Sequence, residues 1–480
     1  MPRGSSHGQG GVESLHVLSK GVSLARNHSA KPVVVLGFGA AGMSAVAALR
    51  EAGYKGGITV VTDTDSMPYS PVLTSYYAAG RIDRDQCFIW GDANPASMAD
   101  EVRVRSKVVA MNAEAHEVTL DDGCRVGYSK LVVATGAHPV VRGFPRTDGY
   151  SPFVLRTMED AERLRQALSS PCCKKVLVSG TSMVGLKALE ACLDRGIQVT
   201  LLGRSPHIMR SSAHPLAAAR FEELLTERGV TLRLSQTVKA AEHDGSSGGL
   251  RVAFPIGSSR NAAGLGSAEE TERFDEVVLA QGVKPNLDFM GDERALDQGL
   301  LVDGFMRTSL PDVYAAGDVA AALDVSTGER RIIGLWQNAV QQGRCAGRAI
   351  ADELAGRPPR RPFPGSLPCN TIHVRDILFA SVGSLHVGEG RCCEAHEDNG
   401  VLRVLVYEEV GSESCLSGVS TRYRFAGAHA GCFLAGADAS ARRRLVGVNL
   451  LAVASRDGGT DSLDREIGAY RREVLNSYLS

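Results

Sequence analysis

Residues 33–42 read VVVLGFGAAG, and residues 176–187 read VLVSGTSMVGLK. Each stretch sets small residues directly after a β-branched run. That arrangement lets a strand turn sharply into a helix whose first N–H groups face an anion. In the first stretch Gly37 permits the turn, Gly39 admits a pyrophosphate against the backbone, and Gly42 lets helix and strand lie close. Ala40 and Ala41 form the helix start. An acid is needed about 20 residues further on to hold ribose hydroxyls, and Asp63 meets that need. The second stretch keeps Gly180 and Gly185 but has Ser182 where the middle glycine belongs, followed by Met183 and Val184. A small hydroxyl still leaves room for a phosphate and can donate a hydrogen bond to it. The chemistry implied is dinucleotide binding, twice.

The second site also carries a preference. Its next strand, QVTLL (198–202), ends in Gly203 with no acid to hold a 2′-hydroxyl. Arg204 follows at once, and Arg210 lies six residues further on. A guanidinium fork suits a dianionic 2′-phosphate, which a carboxylate would repel. The pair therefore favours NADP, with NAD as the second choice; the plain alternative is two solvated surface arginines. The eleven cysteines make no C-x-x-C or other metal-ligand spacing, so no metal site is expected. Scattered thiols of this kind fit a reducing, cytoplasmic setting.

The elements that must position these groups can be traced along the chain. At 480 residues, two or three domains are expected. Strands are read at 33–36, 58–63, 130–137, 176–180, 198–203, 274–282 and 312–318. Helices are read at 40–52, 183–195, 214–228 and 337–354. Residues 102–120 alternate like an antiparallel excursion, and 243–270 read as one strand flanked by loops. The proline-rich GRPPRRPFPG (356–365) marks a boundary. The fold class expected is α/β: two Rossmann-like dinucleotide-binding domains, one inserted in the other, plus a C-terminal α+β domain. The outer domain covers 31–148 and 280–360, the inserted one 149–279, and the C-terminal one 361–480; residues 1–30 form a disordered arm. With 53 basic against 54 acidic residues the charge is −1, which points away from nucleic acid as a global partner. The 32–49 apolar run holds the glycine turn, so no membrane span is expected.

The set of motifs resembles the FAD-dependent pyridine nucleotide oxidoreductases. Besides the two glycine turns, the matching stretches are MPYSPVLTSYYAAG (67–80), YSKLVVATGA (128–137), VVLAQGVKPN (277–286) and TSLPDVYAAGD (308–318). The resemblance implies FAD in the outer unit and a nicotinamide nucleotide in the inserted one. It implies that Ala134, Thr135 and Gly136 pass near the FAD and that Asp318, after Gly317, binds its ribityl chain. Gly282 belongs to the same set. Trp336, in GLWQNAVQQGRCAG (334–347), would lie near the isoalloxazine. Dithiol members carry a redox C-x-x-x-x-C, and single-cysteine members one thiol near position 72. Residues 64–86 hold no cysteine, so thiol relay is not expected.

The stretch 67–80 is instead similar to the ferredoxin, rubredoxin and nitrite-reductase-like reductases, with pattern P-Y-x-R-P-x-L-S-K-x-x-x-G. Here Pro71 replaces the arginine and Tyr76 the lysine that lies by the flavin edge in that group. Lys187 stands where those reductases have a glutamate. Tyr76 and Trp336 are the expected catalytic positions. The activity implied is hydride transfer from NAD(P)H to flavin, with electrons passed to a protein acceptor such as a ferredoxin or rubredoxin. Two alternatives stay open: a flavin subunit of a multisubunit amine- or opine-type dehydrogenase, and a flavin-bound redox sensor with poor turnover. The expected assembly is a homodimer or a hetero-oligomer. The C-terminal stretch RRRLVGVNLLAVAS (442–455) resembles the interface strand of the family.

Overall fold

The computed structural model describes residues 30–89, 95–142, 144, 150–243, 249–255, 269–291, 298–387, 390–398, 400–410, 442–453 and 461–479. The arm expected at 1–30 thus lies almost wholly outside the described residues. The described α-helices are α1 (Ala40–Glu51), α2 (Pro71–Ala79), α3 (Met158–Leu168), α4 (Met183–Leu193), α5 (Pro215–Glu227), α6 (Trp336–Leu354) and α7 (Asp461–Leu479).

The first sheet is parallel throughout. Its order is Val313–Ala315, Lys130–Val133, Val33–Leu36, Ile58–Val61 and Glu101–Arg103. Every residue of Val33–Leu36 is buried, as a central strand covered on both faces requires. The α1 and α6 helices pack together through small residues. A Cβ at Gly343 would stand 2.1 Å from the Ala41 carbonyl oxygen, and one at Gly347 would stand 2.4 Å from that of Ala45. This contact sets the middle of α6 against the start of α1.

One sequence reading needs correction. Residues 102–120 do not form a single antiparallel excursion, because Glu101–Arg103 joins the parallel sheet beside Ile58–Val61. Val102 and Val104 are buried there, which rewards core pairing over a surface ribbon. The antiparallel part is Val108–Asn112, Glu117–Leu120 and Arg125–Gly127.

The second parallel sheet has the order Thr231–Arg233, Gln198–Leu202, Lys175–Ser179 and Glu276–Leu279. Beside it, Ala240–His243, Leu250–Pro255 and Glu269–Phe274 form an antiparallel sheet. Leu250–Pro255 is the one strand expected within 243–270, and its partners fall at the edges of that span; residues 244–248 and 256–268 lie outside the described residues. Two short strands, Ala137–Pro139 and Val283–Pro285, pair where the chain enters and leaves this unit. The chain therefore runs out from one parallel sheet, builds another, and returns.

The proline-rich stretch still packs on the first unit. Phe363 is in its core and donates its N–H to the Gly304 carbonyl at 2.7 Å. The last unit is an antiparallel sheet of order Cys369–Val374, Ile377–Gly383, Arg442–Val453, Val401–Val410, Arg391–Asp398. The α7 helix covers it, with Ile467 on Leu378, Ala380 and Leu450, and Val474 on Val382 and Val448.

Candidate functional site

The first glycine turn is built so that side chains cannot replace its glycines. Gly37 has φ +91°, and a Cβ there would lie 2.3 Å from the Ala134 carbonyl oxygen. A Cβ at Gly42 would lie 2.0 Å from the carbonyl oxygen of Gly37. Gly39, the N-cap of α1, has nothing within 4 Å of where its Cβ would be. The turn is closed on two sides and open on the third, at a helix N-terminus, which fits a pyrophosphate. Ala40 and Ala41 open α1 behind it, and Asp63 is exposed just past the second strand.

Asp318 is carried to the same place. Gly317 has φ +82°, and a Cβ on it would meet the Ala41 Cβ at 3.1 Å. Its N–H donates to Gln342 Oε1 at 2.8 Å, from the buried face of α6. Asp318 Oδ2 accepts from Arg156 Nη2 at 2.7 Å, and Oδ1 lies 3.4 Å from the Cβ position of Gly334. The same guanidinium reaches within 3.6 Å of the Cβ position of Gly136. Ala41, Gly136, Gly317 and Asp318 thus converge. Arg156 and Gln342 were missed from sequence. The available signals were Arg156 directly ahead of the α3 capping box at Thr157 and Asp160, and Gln342 beside the small residues Gly343, Cys345, Ala346 and Gly347.

Thr135 anchors the crossing between the units. Its Oγ1 donates to the Asn286 carbonyl at 2.7 Å, and Asn286 Nδ2 donates to the Thr135 carbonyl at 2.8 Å. Gly282, φ +101° and exposed, accepts from the Val140 N–H at 2.9 Å in that crossing. Trp336 is the first residue of α6 and is half-buried.

The second turn repeats the first. Gly180 has φ +129°, and a Cβ there would lie 2.0 Å from the Ala280 carbonyl oxygen. One at Gly185 would lie 2.0 Å from the carbonyl oxygen of Gly180. Ser182 holds the position Gly39 holds in the first turn: it is the N-cap of α4, it is exposed, and its side chain makes no capping hydrogen bond. Met183 and Val184 follow in the first turn of α4, with Val184 exposed. The arginine loop is strapped to this turn, because Met209 N–H donates to the Thr181 carbonyl at 2.9 Å. Arg204 and Arg210 are exposed and form no hydrogen bond or ion pair among the described residues. A Cβ at Gly203 would stand 2.5 Å from Thr181 Cγ2, so the place of the missing acid is already filled.

A buried charged cluster joins α4 to α2. Lys187 on α4 sets its ammonium 4.0 Å from the ring centroid of Tyr76 on α2. The same ammonium pairs with Glu190 and donates to the His373 carbonyl at 3.3 Å. Glu190 is fully buried and also receives Arg81 at 2.8 Å and the Arg375 N–H at 2.5 Å. Cys87 is buried, and desolvation pushes its thiol up to about 11, which leaves it a poor nucleophile.

These features match one family over most of the chain: residues 31–343 fit the model for pyridine nucleotide-disulphide oxidoreductases. The chain belongs to that family. Members couple FAD to a pyridine nucleotide, and this chain is an oxidoreductase of that kind, with Rossmann-like parallel sheets in both of its nucleotide units. The chain is 31% identical over 360 residues to the epsilon subunit of the NADH-dependent phenylglyoxylate dehydrogenase of Aromatoleum evansii, covering 74% of this chain and 80% of that one. It is 26% identical over 380 residues to the rubredoxin-NAD(+) reductase of Pseudomonas putida, covering 78% and 93%. Its fold is that of an engineered water-forming NADPH oxidase made from a Lactobacillus brevis NADH oxidase, with TM-score 0.73 to the parent and 0.72 to the engineered form. The match to the engineered form has 21% identity and covers 92% of this chain and 91% of that chain. No helix of the described residues is long and apolar enough to cross a membrane.

Proposed function

We propose that this oxidoreductase holds FAD at the first turn and NADPH at the second, and passes electrons from them to a small iron–sulfur or rubredoxin-type protein. Bound FAD supplies the conversion of a two-electron donor into single electrons. Gly37, Gly39, Ala40, Ala41 and Gly42 would hold its pyrophosphate, Asp63 its adenosine ribose, and Asp318 its ribityl chain. Ala134, Thr135, Gly136 and Gly317 shape the wall along it, while Gly282 bends the return strand. Gly180, Ser182, Met183, Val184 and Gly185 would take the nicotinamide dinucleotide. Tyr76 and Trp336 would flank the reacting rings and orient them, because hydride transfer needs alignment more than proton traffic. The units carrying this are 31–148 with 280–360 for FAD, 149–279 for NADP, and 361–480 for a dimer or hetero-oligomer interface, in a cytoplasmic protein.

The observation that carries the NADP reading is the unpaired arginine couple strapped beside the second turn. The engineered NADPH oxidase supports it. Its changes from an NADH-using parent replace an acid by alanine, then set arginine and serine in the next two places, and arginine six places after the first arginine. Gly203-Arg204-Ser205 and Arg210 have that same spacing here. NADPH-driven reduction of a purified ferredoxin and of a rubredoxin, followed by their own absorbance, tests the acceptor; no electron flow to either counts against it. The likeness to a dehydrogenase subunit favours one further reading, a flavin subunit that hands electrons to partner chains. Stoichiometric companion subunits in the native complex would select it.

A further inference from the structure

We propose that Asn449, on the central strand of the C-terminal sheet, is a positioning residue for nucleotide choice that holds Arg210 in place for a 2′-phosphate, a role that rests on the NADPH reading proposed above. Asn449 is the one polar residue in the run VGVNLLAV (446–453) and is fully buried between Ser381 and Val404 of the neighbouring strands. Its Oδ1 accepts from the His214 N–H at 2.6 Å. Its Nδ2 donates to the Ser212 carbonyl at 3.0 Å and to the Ala380 carbonyl at 3.3 Å. Only the Ala380 bond stays within the sheet. The other two grip the backbone just past Arg210, in the nucleotide unit.

A buried amide in an apolar strand is costly unless its groups are bonded, and the bonds that satisfy this one lie mostly outside its own sheet. The two arginines depend on it unequally. Arg204 is flanked by Gly203 and Ser205, whose carbonyls accept from the Gln236 and Ser235 N–H groups at 3.0 and 3.1 Å. That hold owes nothing to the C-terminal unit. Arg210 follows Met209, which has φ +52°, a left-handed backbone that a non-glycine residue keeps only under constraint. The constraint comes from both sides. The Met209 N–H is tied to the Thr181 carbonyl, and the Met209 carbonyl accepts from the Ser212 and Ala213 N–H groups at 2.7 and 2.8 Å. Ser212 is in turn fixed by Asn449. The α5 helix, which continues from this loop, lies on the same face of the sheet. Phe221 stacks on Phe379 with ring centroids 5.6 Å apart, and Arg228 pairs with Asp376 at 2.6 Å. Asn449 thus acts on the nucleotide through Arg210, and the C-terminal unit takes part in cofactor choice without touching the cofactor.

The test reads binding to the full chain by titration calorimetry, so that turnover is not involved. The probes are adenosine 2′,5′-bisphosphate and adenosine 5′-monophosphate, which differ only in the 2′-phosphate. Wild-type protein should prefer the bisphosphate by about tenfold or more, the size of a charge-assisted hydrogen bond. Asn449→Leu should cut that preference about fivefold or more and leave monophosphate binding within about twofold. Asn449→Asp keeps the shape and the acceptor for His214 but loses both donations, and should show the same loss if the leucine variant folds poorly. Leu450→Ala is the control for stability alone, because Leu450 packs on Ile467 away from the loop. It should lower the melting temperature and leave the preference unchanged. Arg210→Ala should cost less preference in the Asn449→Asp protein than in wild type, whereas Arg204→Ala should cost the same in both. A preference that survives both Asn449 variants, or that falls as far in Leu450→Ala, overturns the inference alone. Wild-type protein that binds the two probes equally overturns the NADPH reading with it.

Discussion

The Cα of Gly185 faces the carbonyl of Gly180 so closely that a Cβ would stand 2.0 Å from the oxygen. Gly42 stands in the same relation to Gly37, also at 2.0 Å. The two turns are therefore geometrically alike despite the serine in the second. In each, the blocking atom is backbone and cannot rotate away. Gly42→Val should yield protein without flavin absorbance. Gly185→Val should keep the flavin but lose nucleotide-driven bleaching, which a stopped-flow trace of each purified variant would read. A yellow Gly42→Val protein would mean FAD is held elsewhere.

Arg204→Ala and Arg210→Ala should each raise the KM for NADPH about tenfold or more, the size of one lost charge-assisted hydrogen bond, while the KM for NADH stays within about twofold. Gly203→Asp should move preference towards NADH, at some cost in stability because Thr181 must give way. Steady-state kinetics with both nucleotides measures this. Equal losses for the two nucleotides would make the arginines ordinary surface residues.

Gln342→Leu removes the acceptor for the Gly317 N–H and loosens the loop that carries Asp318. Leaving that N–H without its partner should cost about 1–3 kcal/mol. The melting temperature should fall, and FAD should dissociate faster on dilution, as seen by recovery of free-flavin fluorescence. Unchanged flavin retention would show that the loop is held by other contacts.

Glu276, at the start of its strand, has its carboxyl pushed up to about 7, first by burial and then by Asp275 beside it. The folded chain thus holds a proton that the unfolded chain has released. This contribution to stability is complete below the unfolded value near 4.5 and is lost as pH rises through about 7. Glu276→Gln should leave the melting temperature at pH 4.5 unchanged. It should raise stability at pH 8 by about 1 kcal/mol once partial solvent screening is allowed for. Calorimetry at the two pH values decides it.

Much of this was legible in the sequence because the determinants are local. The VVVL and VLVS runs, the glycines behind them and the alanine-rich α1 announce strand, turn and helix within a dozen or so residues. What was not legible depends on groups brought together from far apart. Arg156 meets Asp318 across 162 positions, and only the fold pairs them. Lys187 read as an unexplained departure until Tyr76 and Glu190 surrounded it. Glu101–Arg103 was misplaced because its short alternation looks the same at a sheet edge and in a surface ribbon.

The central claim is that reducing power enters at the second turn and reaches a flavin held at the first. Anaerobic mixing of the purified yellow protein with NADPH, and separately with NADH, tests it most directly. The account predicts bleaching of the flavin band by both, faster and at lower concentration with NADPH. Failure of both nucleotides to bleach a flavin that dithionite does reduce would contradict it.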